Sequence, residues 1–388
     1  MSAPDAEPRT VFLVATEESG DRLGVALMRE LRQRFGADVR FAGVGGRQMA
    51  TEGLPSLFPI EELSIIGLAA VVRRLPSILG RLRETAAAAV AASPAAVVLI
   101  DSPDFNLRLA RRIRIGDPSI PIIDYVAPTV WAWRPGRARA MRGSVDHVLA
   151  ILPFEPEALR ALEGPPCTYV GHPLLEQLPT LRPDAVETVR RETSPPVLLV
   201  LPGSRRSEIA HHMPIFGETI ALLHAQGVVF EPVLPTMPHL HDAIVAATAG
   251  WSVKPRVVVG ESEKKAAFRV ARAALAKSGT VTFELALAGV PMVAAYKAGQ
   301  VEAWLILKII SATSVILANL VVGENVVPEF IQKDCTAQNL APALHDVLAD
   351  TPERRRQVEA FARIDAVMTT GGRSPSACAA DVVVAHMR

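Results

Sequence analysis

Short apolar runs alternate with amphipathic stretches along the whole chain, the pattern of βαβ units wound around parallel sheets. The first half carries TVFLVA (10–15), VRFAGV (39–44), AAVVLID (95–101), IPIIDYV (120–126) and HVLAIL (147–152). The second half carries PVLLVL (196–201), VVFEPVLP (228–235), RVVVG (256–260), AALAKS (273–278) and PMVAAY (291–296). Runs this short and continuous fit strands buried on both faces. Between the first two, DRLGVALMRELRQRF repeats apolar residues at helical spacing, with Leu23, Ala26, Leu27 and Leu31 on one side. Each set predicts its own doubly wound sheet, so the fold class is α/β, two Rossmann-like domains facing a cleft. The polar, Pro-bearing EQLPTLRPDAVETVRRETSPP reads as the linker between them. The expected division is a domain over 1–180, a second over 181–365, and a C-terminal helix over 366–388 that packs across the domains or is exchanged in a dimer.

Composition narrows the function. A chain of 388 residues exceeds one ordinary core, in keeping with two domains. Lys+Arg 41 against Asp+Glu 40 lacks the basic excess of a nucleic-acid binder, so no nucleic-acid partner is expected. Cys167, Cys335 and Cys378 are odd in number and far apart, which excludes a disulfide framework or CxxC metal site and suits a reducing cytoplasm. Acids and Pro precede the first apolar run, so no signal peptide is read. The mean hydropathy of +0.26 is high, yet no window offers the ~18 uninterrupted apolar residues of a spanning helix. The nearest, WLILKIISATSVILANLVV (304–322), is broken by Lys308, Ser311, Thr313, Ser314 and Asn319. The histidines show no HExxH spacing, and no metal or cofactor is expected. His211 and His212 read as helix surface, and His172 as core or hinge packing at least as readily as a catalytic group. The absence of GxSxG, P-loop and CxxC motifs removes the common hydrolase, kinase and redox readings.

In doubly wound sheets ligands sit beyond the carboxyl ends of strands, so the loops there carry the candidate chemistry. VLLVLPGSRRSEI runs a strand into Pro202-Gly203-Ser204-Arg205-Arg206 and a helix whose unpaired N–H groups and dipole suit a phosphate, with Arg205 or Arg206 as a bidentate donor. A second strand ends in Ser278-Gly279-Thr280, and Glu284 follows one turn into the next helix, placed to accept from a ribose diol. Alone, the first loop reads equally as a surface turn and the second reads more readily as a capped helix; two in one domain favour nucleotide diphosphate binding. In the first half, VLIDSPDFNLRLARR puts Asp101 and Asp104 at a strand end with Asn106 beside them, a base and a partner to orient it. Asp104 also suits a helix cap. VATEESGDRLG offers Glu17 and Ser19 after the first strand, with Ser19 or Asp21 as a cap for the helix that follows.

LSIIGLAAVVRRLPSILGRLRE (63–84) sets an aliphatic run beside Arg73, Arg74, Arg81 and Arg83. Such a helix lies readily in an anionic bilayer interface, and Ile65, Ile66, Leu68, Val71, Arg73 and Arg74 are the expected membrane contacts. The alternative is a helix buried on the first sheet with its arginines in solvent.

Over nearly its whole length the chain resembles the lipid-A-disaccharide synthase family, membrane-surface glycosyltransferases of Gram-negative lipid A assembly. The resemblance rests on EESGD (17–21), FAGVGGRQMATEG (41–53), EELSIIGLAAVVRRLP (61–76), IDSPDFN (100–106), YVAPTVWAWRPGR (125–137), LPFE (152–155), VGHP (170–173), LPGSRRSEI (201–209), SGTVTFELALAGVPMVAAYK (278–297) and LANLVVGENVVPEFIQ (317–332). SPDFN, VWAWR and PGSRxxE in that order are a specific combination. The resemblance implies a GT-B-type enzyme without a required metal. It would join UDP-2,3-diacylglucosamine to 2,3-diacylglucosamine 1-phosphate (lipid X), giving a β-1,6-linked disaccharide 1-phosphate and UDP. It also implies peripheral attachment to the inner face of the inner membrane, and a homodimer that exchanges C-terminal segments.

By the same resemblance Asp101 is the base, with Asp104 and Asn106 as neighbours and Glu17 on the opposite loop. Ser204 and Arg205 hold the phosphates, Ser278, Gly279 and Thr280 the diphosphate or uridine side, and Glu284 the ribose; Asn319 and Gln338 are further nucleotide-side candidates. The chain departs from the family pattern at Thr16, where Gly is usual, at Glu324, often Arg, and at Lys297, frequently Arg. The runner-up is a hydrolysing UDP-sugar 2-epimerase of the same architecture, which has no need of an aliphatic, basic rim. A catalytically silent sugar-nucleotide binder is the third reading.

Overall fold

The computed structural model describes residues 8–63, 68–299 and 314–388, with the backbone alone for 68–74. The chain forms two compact units, one built from residues up to Leu175 together with Thr369–Arg388, the other from Glu176–Met368.

The first unit is a six-stranded parallel sheet in the order β2-β1-β3-β4-β5-β6. Its strands are β1 (Arg9–Ala15), β2 (Val39–Val44), β3 (Ala96–Ile100), β4 (Ile122–Tyr125), β5 (His147–Ala150) and β6 (Cys167–Tyr169). Side chains alternate across the pleat into two cores. Phe12, Val14, Val97, Leu99, Ile122 and Val148 face the helices Leu68–Ala91 and Pro103–Gly116, which contribute Leu82, Ala86, Leu109 and Ile113. Val11, Leu13, Val98, Ile100, Ile123 and Leu149 face the helix Glu18–Phe35 and the C-terminal helix Pro375–His386, which contributes Ala379, Ala380 and Val383. The last helix is further tied by an Arg34–Asp381 ion pair at 2.7 Å.

The second unit repeats the plan with β7 (Val197–Leu201), β8 (Glu231–Thr236), β9 (Arg256–Val259), β10 (Ala271–Lys277), β11 (Met292–Tyr296) and β12 (Glu329–Ile331), in the order β12-β11-β10-β7-β8-β9. Leu198, Val200, Leu234, Leu275 and Val293 pack against Phe216, Ile220 and Leu344. In each sheet the strand order reverses beside its first strand: between β1 and β3 in one, between β7 and β10 in the other. These are the switch points where loops part and ligands enter doubly wound folds.

All ten apolar runs form strands. The two strands without such a run, β6 and β12, are three-residue edges, partly exposed throughout. Ile65 and Ile66 lie outside the described residues. Leu68, Val71, Arg73 and Arg74 belong to the helix Leu68–Ala91, in the part described by backbone alone. Arg81, later in that helix, pairs with Glu62 at 2.8 Å and Glu84 at 2.7 Å. Among the described residues no helix is long and apolar enough to cross a membrane.

Candidate functional site

At the first unit's switch point, the loops after β1 and β3 meet. Asp101 and Ser102 are both left-handed, with φ +59 and +46, a conformation that costs a non-glycine residue about 1 kcal/mol or more. Neighbouring bonds hold it. Asn106 donates to the Asp101 carbonyl at 2.6 Å and to the Ile100 carbonyl at 3.2 Å, the Asp101 N–H donates to the Tyr125 carbonyl, and the Thr16 hydroxyl donates to that of Ser102 at 2.6 Å. The Asp101 carboxylate accepts from the Ser102 N–H at 2.8 Å and from the Ser19 hydroxyl at 3.2 Å. Two oxygens with about four lone-pair directions leave room for a further donor. Beneath lies Asp124 on β4, 1% exposed. Neither of its oxygens, nor Asn106 Oδ1, meets a hydrogen-bond partner among the described residues. Burial, and then the Asp101 charge, push the Asp124 carboxyl well above the usual range.

At the second unit's switch point, a cavity of about 380 Å³ opens beyond β7, β8 and β10, lined by Gly203, Ser204, Arg205, Glu208, Thr236 and Gly260 and, from the far side, Lys264, Lys277, Gly279, Thr280 and Glu284. Glu208 organises it. Its carboxylate accepts from the Ser204 and Arg205 N–H groups at 2.9 and 3.3 Å and from Lys277 Nζ at 3.0 Å. Burial raises the Glu208 pKa, but the Lys277 bond and charge and the two N–H bonds outweigh it, and the net shift is downward. Gly203 takes φ +119, and a Cβ there would sit 2.4 Å from Glu208 Oε2, so only glycine fits. Across the cavity Lys264 pairs with Glu284 at 2.6 Å. Arg205, at 3.5 Å from Glu208, keeps a side chain 66% exposed. The cavity is thus a floor of two Lys–Glu pairs and three helix starts, with one exposed guanidinium.

The sequence family described as lipid-A-disaccharide synthetase matches residues 11–383. A lipid-A-disaccharide synthase of Rhodopseudomonas palustris (strain BisB18) is 69% identical over 376 residues, covering 97% of this chain and 95% of that one. The chain belongs to this family. It is a glycosyltransferase, a hexosyltransferase of lipid A assembly. Solved structures share its fold at low identity. MurG of Acinetobacter baumannii aligns with TM-score 0.60 at 13% identity over 97% of this chain and 99% of that one. The UDP-GlcNAc 2-epimerase of Neisseria meningitidis, solved bound to UDP-GlcNAc, aligns with TM-score 0.60 at 12% over 97% and 98%. Two parallel six-stranded sheets flanked by helices are the GT-B-type architecture.

Several residues of this family member stand apart from the roles that spacing or the family resemblance suggested. Asp104 caps no helix and does not bond Asp101; exposed, it pairs with Arg137. Neither Ser19 nor Asp21 caps the helix Glu18–Phe35. Asp21 instead accepts from the N–H groups of Gly46, Gln48 and Met49 at 2.8–3.1 Å, capping the helix Arg47–Thr51. Glu17, exposed, precedes the helix Glu18–Phe35, and its carbonyl accepts the Asp21 N–H. Ser278 is buried behind the cavity, and its N–H donates to Ala295. Asn319 is 2% exposed and spends its amide on Val326, Val327 and Glu329. Gln338 is exposed on the helix Ala337–Leu348 and does not line the cavity. The unpaired amides expected after β7 are engaged by Glu208. His212, expected on a helix surface, is fully buried: its ring bonds the Glu208 carbonyl at 2.8 Å and accepts the Lys297 N–H at 3.0 Å. Its chain neighbour His211 is exposed, as expected. Sequence reasoning gave no role to Glu208, Lys264 or Lys277. Glu208 carried a signal, an acid three residues after Arg205, at the capping-box position.

Proposed function

We propose that the enzyme is an inverting transferase that joins UDP-2,3-diacylglucosamine to the 6-hydroxyl of 2,3-diacylglucosamine 1-phosphate, releasing UDP. Asp101 is the base that takes the hydroxyl proton, with Ser19 steering its carboxylate and Asn106 fixing its backbone. Arg205, the Ser204 hydroxyl and the helix start at Gly279 and Thr280 neutralise the charge that develops on the departing pyrophosphate. Glu284, steadied by Lys264, accepts from the ribose. The observation that carries this reading is the Asp101 carboxylate, set at a switch point on a strained backbone that several bonds hold in place.

The protein works at the inner face of the inner membrane, where its substrates' acyl chains reside, and the stretch around Ile65 to Arg74 makes the contact. It acts as a homodimer. The deciding experiment incubates the protein with both substrates and follows UDP, disaccharide and anomeric linkage by mass spectrometry and NMR. A β-1,6 disaccharide with stoichiometric UDP is expected. A 2-epimerised sugar without disaccharide favours the isomerase reading, and UDP binding without turnover the silent binder.

A further inference from the structure

A second concentration of charge adjoins the Asp101 loop. Asp104, Arg108 and Arg111 occupy positions i, i+4 and i+7 of the helix Pro103–Gly116 and share one face. With Arg134 and Arg137, from the segment after β4, they line a cavity of about 170 Å³. Four guanidiniums against one carboxylate leave three positive charges in excess. At ~30 Å³ per water the space holds roughly five waters, the size of a compact oxyanion and too small for an acyl chain or a nucleoside.

The walls are fixed from behind. The Arg134 and Arg137 guanidiniums lie 4.4 and 5.3 Å from the Trp133 ring centroid, and the Trp133 indole N–H donates to Thr129 Oγ1 at 2.9 Å. Stacking on an indole restrains a guanidinium without consuming its N–H donors. Arg134 is itself left-handed, φ +53, and its carbonyl accepts the Arg137 N–H at 3.0 Å. Asp104 Oδ1 accepts from Arg137 and lies 3.9 Å from Arg134, marking where an anionic oxygen sits. That side chain is 67% exposed and can swing away. Arg108 and Arg111 form no ion pair among the described residues.

We propose that this cavity recognises a phosphate monoester carried by a sugar, the 1-phosphate of the acceptor, with Asp104 as the internal counter-ion that the phosphate displaces. The proposal rests on the transfer reading above, which brings a phosphorylated acceptor to Asp101, three residues before Asp104. A dianion meeting several planar forks is the chemistry for which arginine surpasses lysine.

Full-length Arg137→Gln and Arg108→Gln/Arg111→Gln variants test it with a short-chain acceptor, with and without its 1-phosphate. Preference for the phosphorylated acceptor, as a ratio of kcat/KM values, should fall about 10- to 100-fold, from the loss of charged hydrogen bonds, with UDP affinity and thermal unfolding reporting an intact fold. Calorimetric titration with glucosamine 1-phosphate reads the cavity without turnover, and binding by the parent that the variants lose supports the site. Equal losses for both acceptors overturn it. So does inorganic phosphate binding as tightly as the sugar phosphate, or loss of phosphatidylglycerol-vesicle binding with an unaltered acceptor preference. Absence of disaccharide from the parent enzyme sinks the transfer reading, and the cavity is then decided by the titration alone.

Discussion

Asp101 and Asp124 stand next to each other in the first unit and carry opposite obligations. As the proposed base, Asp101 must be ionised to accept a proton, and its carboxylate accepts from Ser19 and Ser102. Replacing Asp101 with Ala should lower turnover by ~10²–10⁴-fold with UDP binding intact, and calorimetry beside steady-state kinetics checks both halves. Asp124 is sealed under the loop with its pKa raised by burial and by Asp101. Its contribution to stability is complete below the unfolded-chain pKa of ~3.9 and declines as pH rises through the folded-state value. Asp124→Asn removes that decline, so the variant should gain stability over the parent toward neutral pH and show a flatter Tm–pH profile in calorimetric scans. Asp101 was legible as chemistry because a carboxylate at a strand's carboxyl end has few structural uses. Asp104 misled because spacing along a helix cannot say which neighbouring segment supplies the arginines.

Two helices line the proposed donor cavity, Glu261–Val270 with Lys264 and Thr280–Leu287 with Glu284. Both end on one side chain. The Arg191 guanidinium donates to the carbonyls of Phe268, Arg269, Ala288 and Gly289, at the negative ends of both helix dipoles. Burial holds its pKa down to about 10, still charged at neutral pH. Arg191→Met should cost about 3 kcal/mol or more, through carbonyls left without a charged donor, and weaken UDP binding without touching the cavity. Denaturant unfolding and calorimetry check the two effects. The strands flanking these helices were visible because fully buried parallel strands must be continuously apolar. The three-residue edges β6 and β12 were not, since partly exposed edges need no such run. Arg191 was equally hidden, one arginine among several in a polar segment whose partners lie far along the chain.

Across the whole molecule, the arrangement of two doubly wound sheets was readable from alternation alone, and the family from the order of its motifs. What the pattern could not supply was which face each helix covers, because periodicity names an apolar side but not its partner. At this scale the membrane proposal is tested by Ile65→Ser, Ile66→Ser, Leu68→Ser and Val71→Ser combined. The quadruple variant should move from the membrane pellet to the supernatant on sedimentation, at parental UDP affinity. Persistence in the pellet places the anchor elsewhere. The helix Pro375–His386 has a consequence of another kind. It lays Ala379, Ala380 and Val383 on a sheet whose six strands all precede the second unit in the chain. The part of that face beyond the helix Glu18–Phe35 therefore waits, during synthesis, for residues 375–386. A nascent chain halted at Met368 leaves the apolar surface beneath Ala379, Ala380 and Val383 uncovered.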